Sequence, residues 1–408
     1  MVLRGVPPPG PPQRGPAHLH RRRPAAGLRR LLRRRDRPHL RTLRRPPPGQ
    51  GLARGTAPAH PPRRGGRRMT VVDVHAHVFP EIGRAEARRI TGSDDAPWLR
   101  TTDGPDAGMM MAGTAEYRPV RRTLWDPAAR VADLDRLGVD VQVLSSTPLL
   151  FGYGLETARA ADWCRTVNDH LLRYAAHAPG RLAPLCQVPL QDTEAACEAV
   201  SEAVRQGFHG VHIGNHLGDR DLDDGALLEF LAHCAEEDAA VLVHPWDLPS
   251  GPRHARYMLA WLAGMAGETH LTILSLILSG AFERLPASLR LLFAHGGGSF
   301  PYLLGRADNA WHRRDIVRAD SPHPPSSYTD RFSVDSAVFD PKALRLLVDV
   351  MGAERVLLGS DHPFPLGEES IGRLVRESDL TPQERDAVLG GNAVRFFGLT
   401  RLPQEAAR

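Results

Sequence analysis

Residues 71–80 read Val71-Val-Asp-Val-His-Ala-His-Val-Phe-Pro80, an apolar run that contains two histidines near its end. The valines predict a short buried strand, and side chains at positions i and i+2 of a strand leave the same face. His75 and His77 therefore point the same way, which is a metal-chelating geometry. A lone His-x-His pair also arises by chance on protein surfaces, so the pair alone does not establish a metal site.

Further apolar runs end in side chains that can complete a metal site. Residues 241–244 and 291–295 each end in histidine, and residues 356–361 end in aspartate. Eight stretches in all have the pattern of buried strands: Val71–His77, Val141–Ser146, Leu182–Leu190, Gly210–Gly214, Ala240–Trp246, Leu289–His295, Phe332–Ser336 and Val356–Asp361.

Helical patterns separate these strands. The clearest is residues 127–137, with Asp126 as N-cap, Pro127 at the first position and Gly138 after the end. The others include Leu155–Ala178, Asp192–Gln206, Gly225–Asp238, Tyr257–Phe282, Pro341–Gly352 and Thr381–Phe397. A long stretch without periodicity, residues 80–125, follows the first strand and predicts an insertion or lid.

Apolar strands that alternate with helices predict a parallel sheet covered by helices, and eight such units predict an α/β fold of the (β/α)8 TIM-barrel type. An open doubly wound sheet is the alternative, but it would need a Gly-rich turn where this chain has His-Ala-His. The carboxyl ends of barrel strands converge on one mouth. We therefore expect His75, His77, His244, His295 and Asp361 to share one site.

The first 68 residues differ from the rest of the chain. They carry 19 arginines and one acidic residue, a net charge of +18 that leaves −13 for the remainder, and 14 of the 36 prolines. This composition predicts a disordered segment 1–68. An arm of this kind can bind nucleic acid or acidic membranes, or serve as a transit peptide. We expect instead that translation starts at Met69 and that the working protein is 69–408.

The remaining composition limits where the protein works. Hydrophobic residues make up 42% of the 408 residues, as in globular proteins. The chain contains no run of 18 uninterrupted apolar residues, so no membrane span is predicted. The four cysteines show no C-x-x-C spacing. Reduced thiols and a cytoplasmic location are therefore expected.

Three imidazoles and one carboxylate, from His75, His77, His244 and Asp361, suit Zn²⁺ or another first-row divalent ion. Such an ion would activate water or act as a Lewis acid, and the sequence leaves both roles open. His295 would be the general base or acid, because imidazole titrates near neutral pH.

Three other features bear on this site. Lys342 is the only lysine and lies in a predicted helix, so two metals bridged by a carboxylated lysine cannot form, and one ion per subunit is expected. Gly296-Gly-Gly298 leaves room for a substrate or forms a tight turn. His212, in the strand Gly210–Gly214, is expected to be a packing residue or to support the metal ligands.

From about Met69 to Leu399 the chain resembles the α-amino-β-carboxymuconate-ε-semialdehyde decarboxylases of the amidohydrolase superfamily. The matching segments are Val74–Pro80, Trp125–Pro127, His244–Asp247, Trp261–Thr269, His295–Pro301 and Gly359–Glu368. The family begins a few residues before its His-x-His, which agrees with a start at Met69. The resemblance covers residues 81–117 poorly.

The resemblance implies zinc ligands at His75, His77, His244 and Asp361 and a catalytic histidine at His295. It also implies two arginines that hold substrate carboxylates: Arg118, and Arg306 supplied across a homodimer interface. Trp246 and Phe364 would be pocket walls or ordinary core residues. The implied reaction is decarboxylation of 2-amino-3-carboxymuconate 6-semialdehyde, in tryptophan or 3-hydroxyanthranilate catabolism.

Other functions remain open at this point. A related decarboxylase or hydratase of a benzoate or ring-cleavage acid would share the metal site, and so would an amide or lactone hydrolase. A nucleic-acid-binding or scaffold protein with a relic barrel is a further alternative, which the intact ligand set disfavours. The expected partners are a small carboxylate substrate and a second copy of the chain, with neither membrane nor nucleic acid.

Overall fold

Eight parallel strands form the centre of the protein. They are β1 (Val72–Val78), β5 (Val141–Ser146), β6 (Leu182–Pro184), β7 (Gly210–Gly214), β10 (Ala240–His244), β11 (Leu291–Phe293), β12 (Ser333–Asp335) and β13 (Val356–Leu357). They pair in the orders β1-β5-β6 and β13-β12-β11-β10-β7, and a short antiparallel pair, β8 (His216–Leu217) and β9 (Arg220–Asp221), follows β7. Parallel bridges between Cys186 and Val211 and between Ala76 and His362 join the two sheets. The sheet therefore closes, and the predicted barrel is confirmed.

The computed structural model describes residues 70–101, 104, 107–249 and 251–399. All of them belong to one unit of the chain, Gly66–Arg408. The predicted disordered segment 1–68 and the proposed start at Met69 lie outside the described residues.

The helices alternate with the barrel strands. They are α1 (Arg84–Thr91), α2 (Pro127–Leu137), α3 (Thr157–Ala175), α4 (Thr193–Gln206), α5 (Gly225–Glu236), α6 (Met265–Leu278), α7 (Ala281–Arg284), α8 (Phe300–Arg313), α9 (Pro341–Met351), α10 (Arg373–Glu377), α11 (Pro382–Asp386) and α12 (Asn392–Phe396). In α2 the Asp126 side chain accepts from the amides of Ala128 and Ala129, and Gly138 ends the helix with φ 69°. These are the predicted caps.

Some helix boundaries differ from the prediction. The stretch predicted as one helix, Tyr257–Phe282, is a π-helical turn, α6 and α7, with Gly280 in the left-handed region at φ 66° between the last two. Helix α8 is absent from the predicted helices, and Pro301 in its first turn and Gly305 within it are residues that commonly mark turns.

The stretch 80–125 contains secondary structure that its sequence pattern does not reveal. It holds α1 and an antiparallel sheet of β2 (Pro97–Thr101), β3 (Gly108–Ala112) and β4 (Ala115–Val120), in that order. Met110 pairs with Arg118, but Met111 pairs with Glu116, so Tyr117 is an extra residue in the edge strand β4. A bulge of this kind changes the direction of neighbouring side chains.

The lower half of the barrel is filled with apolar side chains. Val72, Val74 and Leu242 belong to an interior cluster to which most barrel strands contribute. Phe397 and Leu399, after α12, join this cluster. The residues that follow α12 up to Leu399 therefore pack beneath the barrel interior and, with the apolar cluster, form its dry floor.

One helical stretch among the described residues, Ala260–Leu278, has the length and apolar character of a membrane span. About a third of its most apolar part is buried inside the protein. Thr269, Ile273 and Ile277 are its buried side, whereas Leu262 and Leu271 are 63% and 53% exposed. Core helices of barrel proteins satisfy the same length and composition test. The exposed side is an apolar surface that needs an explanation.

Candidate metal and active site

A bulge in β1 points both histidines of the His-x-His motif into the barrel mouth. Val72 and Val74 belong to the interior cluster, whereas Ala76 and Val78 pack in the layer beneath the helices. The pairing of β1 with β5 shifts register between Asp73 and Ala76, where this change of side occurs. An irregularity of this kind re-aims side chains, so His75 and His77 follow the interior valines on the inner side.

Four of the predicted site residues meet at this mouth. One ligand atom from each of His75, His77, His244 and Asp361 lies within 4.8 Å of the others. The Nε2 atoms of His75 and His77 are 3.2 Å apart, and Oδ1 of Asp361 lies 3.6 Å and 3.2 Å from them. Imidazole nitrogens that converge with a carboxylate on one point favour a bound cation, so the residues fit a divalent metal ion.

Each of the three histidines is oriented through its other ring nitrogen. Nδ1 of His75 lies 2.6 Å from Asp335, Nδ1 of His244 lies 2.7 Å from the Pro245 carbonyl, and Nδ1 of His77 lies 3.4 Å from the Ser146 carbonyl. These oxygens accept hydrogen bonds, so each Nδ1 carries the proton. Each Nε2 therefore faces the common point, where its lone pair can bind a metal once no proton occupies it.

Asp335 was not among the residues predicted for the site. Its Oδ2 accepts from His75 and from the amide of His295, and its Oδ1 accepts from the amides of Gly296 and Ala337. The signal in the sequence was an acidic residue at the carboxyl end of the predicted strand Phe332–Ser336. Its role as a support for His75 and for the turn at His295 becomes visible only from these tertiary contacts.

The charges at the site shift several pKa values. Burial would raise the pKa of Asp361, but the hydrogen bond from His77 and the charge of His75 outweigh it and lower that pKa to about 2. Burial opposes the charge on His75, but the hydrogen bond to Asp335 prevails and raises its pKa to about 9. Burial lowers the pKa of His244 well below its ordinary value. The metal-free site therefore holds its proton on His75.

His295 lies beside the cluster of His75, His77, His244 and Asp361 without joining it. Its ring centre is 5.0 Å from that of His75 and 4.9 Å from that of His244, and its Nδ1 has no hydrogen-bond partner among the described residues. Burial lowers its pKa to about 4, so the ring is neutral at neutral pH. His295 and the following glycines all have positive φ, which identifies Gly296-Gly-Gly298 as a tight turn.

A cavity of about 790 Å³ opens above these residues. His77, His244, Asp361 and His295 line it together with apolar and aromatic side chains. Arg118 is the one arginine or lysine among the described residues that line it. The cavity therefore combines a metal site, an imidazole and one cation, which suits an acidic substrate.

The bulge in β4 brings two consecutive side chains, Tyr117 and Arg118, to this cavity. The guanidinium carbon of Arg118 lies 4.9 Å from the ring centre of Phe364 and 5.7 Å from that of Trp261. Aromatic faces attract the guanidinium without using up its hydrogen-bond donors. Within the part of the chain that the structure describes, the donors of Arg118 therefore remain available for a ligand.

The remaining predicted residues have different positions. Trp246 and Phe364 line the cavity, and Trp246 donates to the His216 carbonyl at 2.8 Å. Arg306 is exposed on α8 and does not line the cavity of its own chain. His212 is fully buried with its ring 5.7 Å from that of His244, and neither of its nitrogens has a partner among the described residues.

The family model described as Amidohydrolase matches residues 72–399. A 2-amino-3-carboxymuconate-6-semialdehyde decarboxylase from Dictyostelium discoideum is 36% identical over 335 residues, which cover 81% of this chain and 92% of that protein. The enzyme of the same description from Caenorhabditis elegans is 30% identical over 388 residues, with coverage of 80% and 94%.

Solved structures have the same fold. IDCase from Metarhizium anisopliae in apo form superposes with a TM-score of 0.70 at 23% identity, over 81% of this chain and 98% of its own. A dihydroxybenzoic acid decarboxylase from Polaromonas sp. JS666 with bound manganese gives 0.65 at 21% identity, over 82% and 98%. By the family model and the two relatives, this chain belongs to the amidohydrolase superfamily, in the family of the 2-amino-3-carboxymuconate-6-semialdehyde decarboxylases.

Proposed function

We propose that this nonoxidative decarboxylase converts 2-amino-3-carboxymuconate 6-semialdehyde to 2-aminomuconate 6-semialdehyde and CO₂. The observation that supports this most is a single cavity shared by three of the metal-site residues, His295 and Arg118. The reaction breaks one carbon–carbon bond and puts a proton on the carbon that loses CO₂. No electron acceptor takes part in this balance.

We infer that one zinc ion per subunit occupies the cluster of His75, His77, His244 and Asp361. Three imidazole nitrogens and one carboxylate suit zinc, while the manganese in the Polaromonas enzyme makes another divalent ion the main competitor. When bound, the ion would supply Lewis-acid chemistry or an activated water. The chain's own contribution is to fix the three rings through their Nδ1 atoms, so that all three Nε2 atoms face one point.

The role proposed for His295 is proton transfer. Its neutral ring lines the cavity beside the metal site, and its Nδ1 is free of partners among the described residues. The Asp335 carboxylate accepts a hydrogen bond from the backbone amide of His295 at 3.0 Å and so fixes the position of that residue. A neutral imidazole held in this way can take a proton from solvent and deliver it to the substrate carbon, where it replaces the departing CO₂.

Arg118 is proposed to bind the carboxylate that the substrate keeps. Guanidinium forks bind carboxylates through two parallel hydrogen bonds. Trp261, Phe364 and Trp246 provide flat apolar walls beside it, which suit a conjugated chain. The cavity would therefore orient the substrate with one carboxylate at Arg118 and the other near the metal site.

We further propose a homodimer in which Arg306 of the partner subunit completes the cavity. Arg306 is exposed on α8, which follows the turn at His295 directly. Leu262, Leu271 and Tyr302 expose apolar surface on α8 and on the neighbouring helical stretch Ala260–Leu278. Contiguous exposed apolar surface is typical of subunit interfaces. A second copy of the chain would cover it.

The proposed setting is the cytoplasm and the catabolism of tryptophan or 3-hydroxyanthranilate. The four cysteines are free thiols, three of them buried, which supports a reducing compartment. The pathway follows from the substrate of the related enzymes and is tested with that substrate.

The deciding experiment supplies the full-length, zinc-loaded protein with the semialdehyde, generated in place by a 3-hydroxyanthranilate dioxygenase. Decay of the substrate chromophore and release of CO₂ are followed against an enzyme-free control and against His295→Ala. Fast decay with matching CO₂, absent in the variant, is expected. A folded, metal-loaded protein without acceleration would contradict the substrate assignment and direct the search to benzoates and other ring-cleavage acids.

A further inference from the structure

We propose that Arg130 and Asp133, one turn apart on α2, are positioning residues that hold the metal ligand Asp361 through its neighbour His362. We name these two residues with His362 the α2 clamp. This inference rests on the metal site proposed above and is independent of which acid is the substrate.

The Arg130 side chain is fully buried, and each of its three nitrogens has a hydrogen-bond acceptor. Its Nη1 donates to Nδ1 of His362 at 2.8 Å, and its Nη2 donates to the His77 carbonyl at 2.5 Å. Its Nε donates to the Thr123 carbonyl at 2.8 Å. Burying a guanidinium is costly unless its donors are used in this way. Here they join the end of the first barrel strand to the segment after the last one.

His362 is held at both ring nitrogens. Nδ1 accepts from Arg130, so the proton is on Nε2, which donates to Oδ2 of Asp133 at 2.9 Å. The backbone of His362 closes the barrel, because its carbonyl accepts from the amide of His77 at 2.8 Å. Neither the ring nor the backbone can move without breaking one of these bonds.

Asp361, directly before His362, needs such support. Its φ of 60° is in the left-handed region, which is uncommon for residues other than glycine and which surrounding contacts help to maintain. Its amide donates to the His75 carbonyl at 2.9 Å. The clamp therefore acts on the carboxylate that must meet three histidines at one point.

A second branch of the same network holds the residue on the other side of Asp361. Nη1 of Arg130 also donates to Gln142 at 2.9 Å, and Gln142 donates to Asp73 at 2.7 Å. Asp73 in turn accepts from the Ser360 hydroxyl at 2.6 Å and from its amide at 3.0 Å. Both neighbours of the ligand are thus tethered to Arg130, which assigns the network a role in aligning that ligand.

The test uses Asp133, because its side chain is 19% exposed and its removal is compatible with folding. Full-length Asp133→Ala removes the acceptor of His362, whereas Asp133→Asn retains an oxygen acceptor. Asp135→Ala is the matched control, since it removes a surface ion pair with Arg181 from the same helix. The readouts are the dissociation constant for Co²⁺ by chelator competition, the visible spectrum of the Co²⁺ protein, and the melting temperature of the metal-free protein.

We expect Asp133→Ala to weaken Co²⁺ binding about tenfold, as loss of groups that orient metal ligands typically does, and to change the visible spectrum. Asp133→Asn should stay closer to the unmodified protein, and all three metal-free variants should melt within a narrow range. Unchanged affinity and spectrum in Asp133→Ala, with a lower melting temperature only, would overturn the proposal. An unmodified protein that binds no Co²⁺ would contradict the metal site itself, and the clamp with it.

Discussion

Oδ2 of Asp335 lies 2.6 Å from Nδ1 of His75, and the same atom accepts the amide of His295 at 3.0 Å. One carboxylate therefore orients a proposed metal ligand and anchors the turn that carries the proposed proton-transfer residue. Both side chains of the pair are fully buried, so water cannot substitute for either partner. The Asp335 carboxylate thus aligns the proposed metal site and the His295 imidazole with each other.

We predict that Asp335→Asn weakens metal binding roughly 10- to 100-fold. An asparagine amide carries no negative charge to hold the His75 proton on Nδ1. Its NH₂ group would also face backbone N–H groups that now donate hydrogen bonds to the carboxylate. Isothermal titration of the metal-free protein measures the effect. Asp349→Asn, an exposed change on α9, is the control. Equal metal affinity in Asp335→Asn and the control would contradict the role of Asp335.

We also predict that metal binding releases a proton and weakens as the pH falls. The Asp335 hydrogen bond raises the pKa of His75 to about 9, so below that pH the metal-free site holds a proton that a metal ion must displace. The apparent affinity should fall about tenfold per pH unit between pH 8 and 6. Titrations in buffers of different ionisation enthalpy measure the released protons. An affinity independent of pH over this range would refute the prediction.

His295→Ala should lower kcat roughly 10²- to 10⁴-fold, the range typical of a lost proton-transfer group. Bound metal should stay near one ion per subunit, because His295 lies outside the four-ligand cluster. Activity and metal content are measured on the same preparation. Loss of metal together with activity would identify His295 as a ligand.

Arg118→Met should raise KM far more than it lowers kcat. Losing a charge-assisted hydrogen bond costs about 1.5–3 kcal/mol, or roughly 10- to 100-fold in kcat/KM. Arg118→Lys should recover part of the loss, since an ammonium keeps the charge but not the fork. Arg121→Met, an exposed change three residues along the chain, is the control. Equal kinetics for Arg118→Met and the control would remove Arg118 from substrate binding.

Mixed dimers test whether Arg306 works across subunits. Arg306→Ala and His295→Ala should each be inactive alone, but a mixed dimer has one site with an intact His295 and an intact Arg306 from the partner subunit. Random mixing should restore about a quarter of the unmodified activity. Failure to recover any activity in mixtures with demonstrated exchange would argue against the shared site.

The barrel and most of the metal cluster could be predicted because they depend on short-range patterns. Buried strands read as apolar runs, and fold topology brings their carboxyl ends together, so His75, His244 and Asp361 were expected to meet despite their separation along the chain. The caps of α2 were also predictable, since Asp126, Pro127 and Gly138 act locally.

Other features depend on tertiary contacts that no local pattern records. Asp335 and Arg130 bind no metal, and their roles appear only when their partners are known. The sheet β2-β3-β4 lacks clear alternation because its strands are short and mixed in exposure. Whether Arg306 reaches a cavity depends on a second chain, whose position a single sequence does not encode.

Because the dry floor lies apart from the site, residues that set stability and residues that set substrate choice can vary independently. Val72, Val74 and Phe397 pack in a layer from which the metal ligands are absent, while every residue proposed to touch the substrate lies at the opposite end of the strands or above it. Repacking the floor should change thermal tolerance with little effect on substrate choice. In directed evolution of this enzyme toward other acids, stabilising substitutions in the floor can therefore offset the stability lost through substitutions at the mouth.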